Sequence, residues 1–201
     1  MSLFDMTGVK IIDISRTLEN ISKEPGDLCP RMCLAHSMER GETYNLTELT
    51  MCVHNGTHVD APLHFIRDGR DVIACPPELF VGECLVRSYS DTLTAGDISA
   101  LPVNCRRLLI KGDVTVSEDA ARAIVDRGIV MVGIERNAIG LPGDPVPVHT
   151  TLLGAQVGVL EGLDLSDAPD GEAFLMAQPL KLSGCEGAPC RALLMVKAGG
   201  Q

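Results

Sequence analysis

The stretch RLLIKGDVTVSEDAARAIVDRGIVMVGI, running from Arg107 to Ile134, decides the fold class. Arg107 to Lys111 reads as a strand. Thr115 to Asp126 reads as a helix. Thr115 and Glu118 have capping-box spacing, Ala120, Ala121, Ile124 and Val125 form an apolar stripe, and Gly128 stands where a left-handed C′ residue belongs. Ile129 to Ile134 is a fully apolar strand. Strand, helix, apolar strand is the βαβ pattern, which needs a sheet that is partly parallel and buried on both faces.

Working outward toward the C-terminus, Gly140 to Pro147 is a Pro- and Gly-rich loop. It leads to a short helical stretch near Thr150 to Leu153 and a strand at Val157 to Leu160, with later strands near Phe174 to Gln178 and Ala192 to Lys197. Toward the N-terminus, Val81 to Tyr89 and Val9 to Ile14 read as strands. Ser15 to Arg40, with Pro25, Gly26 and Pro30, reads as a long irregular excursion. Thr43 to Val53 is Thr-rich, and its later half alternates as a half-buried strand that delivers the chain into His54. No repeat or long linker interrupts the pattern. The expectation is an α/β fold: a single compact domain over residues 1–201, with a mixed sheet and more strand than helix.

Composition narrows the functional classes. A chain of 201 residues can bury one substantial core, and 45% hydrophobic with 22% charged residues is ordinary for a globular domain. The formal net charge of −10, without any basic run, argues against nucleic acid as a partner. No apolar stretch reaches the roughly 18 residues of a membrane span. Met1 to Lys10 carries Asp5 and lacks a basic segment followed by an apolar one, so it does not read as a signal peptide, and a cytoplasmic location is expected. The eight cysteines form no disulfide framework: Cys52, Cys84 and Cys105 lie in or beside apolar runs, and the pairs Cys29/Cys33 and Cys185/Cys190 lack the two-residue spacing of zinc knuckles.

Chemistry concentrates in His54-Asn55-Gly56-Thr57-His58-Val59-Asp60-Ala61-Pro62-Leu63-His64. Three of the five histidines fall within these eleven residues, beside one aspartate. Grouped His and Asp are a costly way to fill a core unless a metal compensates them. Mixed nitrogen and oxygen donors suit zinc, manganese or ferrous iron better than magnesium. Gly56 and Pro62 oppose a regular helix, so a turn is expected, with His58 and Asp60 converging from a short extended piece. Thr57 could hydrogen-bond a neighbouring ligand.

This motif, H-x-G-T-H-x-D-x-P-x-H, resembles the signature of the metal-dependent cyclase-family hydrolases, which include bacterial kynurenine formamidase and isatin hydrolase. Asp13-Ile14-Ser15, Pro25-Gly26-Asp27, Val132-Gly133-Ile134, His149, Glu161-Gly162-Leu163-Asp164-Leu165, Pro179-Leu180-Lys181-Leu182 and Pro189-Cys190-Arg191-Ala192 follow in the family's order. The resemblance implies His54, His58 and Asp60 as ligands of a first metal. Asp60 could bridge to a second metal held by His149 and Glu161, and His64 would be the catalytic histidine. It also implies zinc or manganese, one or two ions, and a homodimer or homotetramer with active sites near subunit contacts. His149 follows the Pro-rich loop at a helix start, and Glu161 lies at the carboxyl end of an apolar strand, where α/β proteins commonly place site residues.

The expected reaction is hydrolysis of a small-molecule amide (formamide or cyclic amide) or lactone by metal-bound hydroxide, with His64 moving the proton. Kynurenine formamidases commonly carry a Trp before the Pro-Gly-Asp element. Here that position is Glu24 and the chain has no Trp, so a non-aromatic cyclic imide or lactone is an equal expectation. Ile134-Glu135-Arg136-Asn137 also departs from the Asp and Ser that the family often has there. Glu24 and Arg136 could contact substrate or be solvated surface charges. Two other classes share some residues. His58, Asp60 and His149 have the order of a non-haem Fe(II) oxygenase triad, but that reading leaves His54, His64 and Glu161 without roles. A non-catalytic metal module would normally close its site with four ligands, usually including Cys.

Overall fold

Leu108, Leu109 and Ile110 are all fully buried, so their strand is covered on both faces. Leu108 and Ile110 join one apolar cluster and Leu109 joins the other. The computed structural model describes residues 7–18 and 28–197. Its strands are β1 (Val9–Asp13), β2 (Arg31–His36), β3 (Leu46–Thr50), β4 (His58–Asp60), β5 (Val81–Ser88), β6 (Arg107–Lys111), β7 (Met131–Ile134), β8 (Gly158–Glu161), β9 (Gly171–Met176), β10 (Gly187–Pro189) and β11 (Leu193–Lys197). Its α-helices are α1 (Ala95–Ser99), α2 (Glu118–Asp126) and α3 (Val146–Gly154).

Among the described residues, nine strands form one mixed sheet in the order β1-β11-β9-β5-β6-β7-β8-β4-β10. Its centre, β5 to β8, is parallel, as the βαβ pattern requires, and its flanks are antiparallel. Helix α2 lays Ala120, Ala121 and Ile124 on the face carrying Leu108, Ile110, Val132 and Ile134, and α3 adds Leu152 and Leu153. The opposite face gathers Ile12 of β1 and Ala188 of β10, from the two ends of the sheet order, into one cluster with Leu109, Leu160 and Val59. The sheet is therefore curled, and its concave side is filled with side chains.

Three expectations need correction. The α2 helix starts at Glu118, and its N-cap is Ser117, whose hydroxyl accepts from Ala120 N. Thr115 instead pairs its hydroxyl with Thr92, 2.8 Å away. The helical stretch near Thr150 extends back to Val146, because Pro145 and Pro147 occupy positions where a missing N–H costs nothing. Within Ser15 to Arg40, the excursion contains β2, which pairs antiparallel with β3 in a separate two-stranded ribbon. That ribbon is exposed: Met32, Leu34 and Leu49, on one of its faces, are 52%, 44% and 50% accessible. Its alternation reflects the two faces of a ribbon standing off the body, which is why Leu46–Thr50 is exposed and only Met51 to Val53, beyond the strand, are partly buried.

Replacing Ser117 with Ala should destabilise the protein by about 1 kcal/mol, and Thr115→Ala by less than half of that, read from urea unfolding midpoints. Equal losses would return the cap to Thr115.

Candidate metal centre

Asn55 begins the turn that carries the first ligand candidate. Its side-chain oxygen accepts from Cys52 N at 2.9 Å, and its own N–H donates to Cys52 O at 3.1 Å. Gly56 takes a left-handed φ of 72°, which lets the chain reverse tightly into β4. In β4 the two-residue period puts His58 and Asp60 on one face. Antiparallel pairing with β8 then sets His58 opposite Glu161. Helix α3 supplies His149 from above the sheet edge. Pairing β4 to β8 on one side and β10 on the other converts distant residues into one cluster.

His58, Asp60, His149 and Glu161 are each only 1–2% exposed. Asp60 is the hub: its Oδ1 lies 3.0 Å from His54 Nδ1 and 3.5 Å from His58 Nε2, and its Oδ2 lies 3.5 Å from His149 Nε2. Glu161 closes the other side, 3.4 Å from His58 Nε2 and 3.3 Å from His149 Nε2. Ligand atoms of His54, His58 and Asp60 lie within 4.8 Å of one another, and so do those of Asp60, His149 and Glu161. The five residues singled out from the sequence thus form two overlapping groups that share Asp60.

The chemistry of the donors fits a metal. The Nδ1 atoms of His58 and His149 each lie 2.9 Å from a backbone carbonyl, of Gly56 and Pro145 respectively. A carbonyl at Nδ1 fixes the ring orientation and turns Nε2 toward the cluster, the usual support for a ligating histidine once Nε2 has given up its proton. Asp60 Oδ2 and His54 Nε2 are buried without a hydrogen bond, a costly condition that a cation would relieve. Glu161 is oriented by Ile139, whose N–H donates to Oε1 at 2.6 Å.

Electrostatics bind the cluster together. Burial alone would push both histidines down, but the carboxylates of Asp60 and Glu161 raise His58 well above its ordinary value and His149 to about 10. Burial alone would raise Asp60, but the imidazoles of His149, His54 and His58 that face it hold it well below the usual carboxylate range.

His64 is not in either ligand group. It ends the single turn Pro62–His64, and its ring stacks on His54 with centroids 4.1 Å apart. Burial is the largest influence on it and lowers its pKa. Thr57 differs from expectation: its hydroxyl donates to Gly162 O at 2.6 Å and accepts from Arg16 N at 2.9 Å, bracing the turn after Glu161 and contacting no ligand. Arg136 is ion-paired with Asp113, while Glu24 lies outside the described residues. Sequence reasoning missed Phe65, stacked on His149 with centroids 4.4 Å apart, and Glu186, whose Oε1 lies 3.4 Å from His54 Nε2. Gly187 was missed too: a Cβ there would sit 2.8 Å from His54 Cε1. Only the β4–β10 register brings Glu186 and Gly187 to the motif, and no linear spacing announces it.

Metal binding must displace the protons held on His58 and His149. Because both values are raised, His149 to about 10, affinity for Zn²⁺ should climb with pH throughout the neutral range, with net proton release in calorimetry across buffers of different ionisation enthalpy. A pH-independent affinity without proton release would contradict this site.

Comparison with known proteins agrees with this geometry. Residues 12–139 match the profile of the family named Cyclase, "Putative cyclase". Kynurenine formamidase of Salinibacter ruber is 32% identical over 204 residues, covering 92% of this chain and 96% of that protein. Kynurenine formamidase of Erythrobacter litoralis is 29% identical over 205 residues, covering 92% and 93%. The structure of isatin hydrolase A from Labrenzia aggregata, bound to benzyl benzoate, superposes with a TM-score of 0.83 at 26% identity, covering 95% of each chain. A family profile over most of the chain and relatives along nearly all of it carry one conclusion: this protein belongs to the cyclase family of metal-dependent hydrolases.

Proposed function

We propose that this chain hydrolyses a small-molecule amide, a formamide or cyclic amide, or a lactone, with an activity most similar to that of kynurenine formamidase. The observation that carries the reading is the pair of buried ligand groups sharing Asp60, with His64 stacked beside them. His54, His58, Asp60, His149 and Glu161 would hold one or two zinc or manganese ions. Held there, a divalent ion would supply Lewis acidity for the scissile carbonyl and would lower the pKa of a water toward about 7.

The chain's own residues do the rest. His64, lowered by burial and therefore neutral at physiological pH, has a ring nitrogen able to take the proton of the attacking water. The same nitrogen returns that proton to the leaving amine, which cannot depart as an anion. The Gly56 and Pro145 carbonyls keep His58 and His149 pointed at the reacting centre. An iron oxygenase built on His58, Asp60 and His149 accounts for only part of this cluster, since His54 and Glu161 lie within it.

Two further features belong to this reading. The eight cysteines are free thiols, as suits a cytoplasmic protein, and no described helix is long and apolar enough to cross a membrane. A homodimer or homotetramer is supported by the ribbon of β2 and β3, since a lone two-stranded ribbon with apolar side chains in water is marginal without a partner surface. In sedimentation, the double variant Leu34→Glu, Leu49→Lys should shift a wild-type oligomer toward monomer. A wild-type monomer at micromolar concentration would overturn the assembly.

The activity itself is tested anaerobically on formamides, cyclic imides and lactones, after chelation and restoration with zinc or manganese. Turnover that returns with metal and falls about 10²- to 10⁴-fold in His64→Ala at unchanged metal content is the expected result. Silence on all three substrate classes would overturn the hydrolase, and wild-type turnover in His64→Ala would remove its proton role.

A further inference from the structure

Three carboxylates touch the histidine cluster, and one differs from the others. The side chains of Asp60 and Glu161 are 0% and 3% exposed, whereas that of Glu186 is 41% exposed while its Oε1 lies 3.4 Å from His54 Nε2. Its position is fixed by the backbone: the Glu186 carbonyl accepts from Ala61 N at 2.8 Å, and the next residue, Gly187, stands opposite Asp60 in the sheet. His54 is also the most accessible of the candidate ligands, at 14% against 0–3% for the others. Solvent, and therefore substrate, reaches the cluster on the side where His54 and Glu186 lie. Among the described residues, His54 is the only ion-pair partner of Glu186, so its charge adds to the field at the mouth of the site beside that of any ion held by His54.

Hydrolysis of an amide, imide or lactone adds water across the acyl bond. The acyl carbon takes the hydroxyl and the leaving nitrogen or oxygen takes one proton; the new carboxylic acid then releases its own proton to the amine or to buffer and becomes a carboxylate. The product is thus more anionic than the substrate at the very atom that was bound. We infer that Glu186 is a specificity-determining residue, an electrostatic gate at the mouth of the site. It disfavours substrates with a negative charge beside the scissile carbonyl and promotes departure of the carboxylate product. The substrate class this selects is neutral or cationic around the reacting bond. The inference rests on the hydrolase reading above.

The test titrates acetate, as a product-like anion, and acetamide, as its neutral counterpart, into Co²⁺-loaded wild type, Glu186→Gln and Glu186→Lys. The visible spectrum of the bound cobalt is the readout, at one fixed pH and low ionic strength, with metal content measured in parallel. Like charges at close range in a half-exposed site predict acetate binding about 3- to 10-fold tighter in Glu186→Gln and tighter again in Glu186→Lys. The gain should shrink in about 1 M salt, and acetamide affinity should not move. Equal acetate affinity in all three proteins at full metal occupancy overturns the gate and leaves the hydrolase reading standing. Loss of cobalt from Glu186→Gln also overturns it, making Glu186 a ligand. A wild type that binds no cobalt overturns both.

Discussion

Four ionisable side chains, His58, Asp60, His149 and Glu161, are withdrawn almost completely from water. Isolated, each would carry a desolvation cost of several kcal/mol. Together they offset it, because each imidazole faces two carboxylate oxygens and Asp60 meets three histidines. The compensation works only at hydrogen-bonding distance, so every element around the cluster serves to hold it. Strand β4 is short because its three residues need only to present His58 and Asp60 on one side. Strands β8 and β10 clamp it from both edges, and α3 brings His149 down over it. The two atoms left unsatisfied, on Asp60 and His54, mark where protein groups alone do not complete the balance.

The parallel centre of the sheet was legible because local signals agreed there. The apolar runs at β6 and β7, the stripe of α2 and Gly128 all point the same way, and the structure follows them. Helix boundaries were less so, since Thr115 and Ser117 are both acceptable caps and only the pairing of Thr115 with Thr92 decides between them. The ribbon was misread because alternation reports two unlike faces and says nothing of whether either is buried. Strands β4 and β10 are three residues each, too short for any periodicity to reveal. All five ligand candidates could be named from the motif and its family order, whereas Glu186 and Phe65 enter through register and packing.

Glu135 and Arg136, in the segment expected to depart from the family's pattern, have structural roles of their own. Glu135 accepts from Gly112 N at 2.6 Å and from Leu165 N at 2.8 Å, tying the loops that follow β6 and β8 to the end of β7. Arg136 is engaged with Asp113, and its carbonyl accepts from Gly162 N at 2.9 Å. These contacts brace the turn after Glu161. The segment therefore acts on the cluster by positioning it, and substrate selection falls to the exposed side where His54 and Glu186 lie.

The hub position of Asp60 has a consequence for occupancy. Two ions that draw on one carboxylate cannot load independently: the first neutralises the charge that would attract the second, and their mutual repulsion adds to the difference. Were both groups to take an ion, loading would be stepwise with negative cooperativity, a tight first equivalent and a weaker second. The number of ions held would then report the metal available around the protein, and one sequence would be mononuclear in one setting and dinuclear in another.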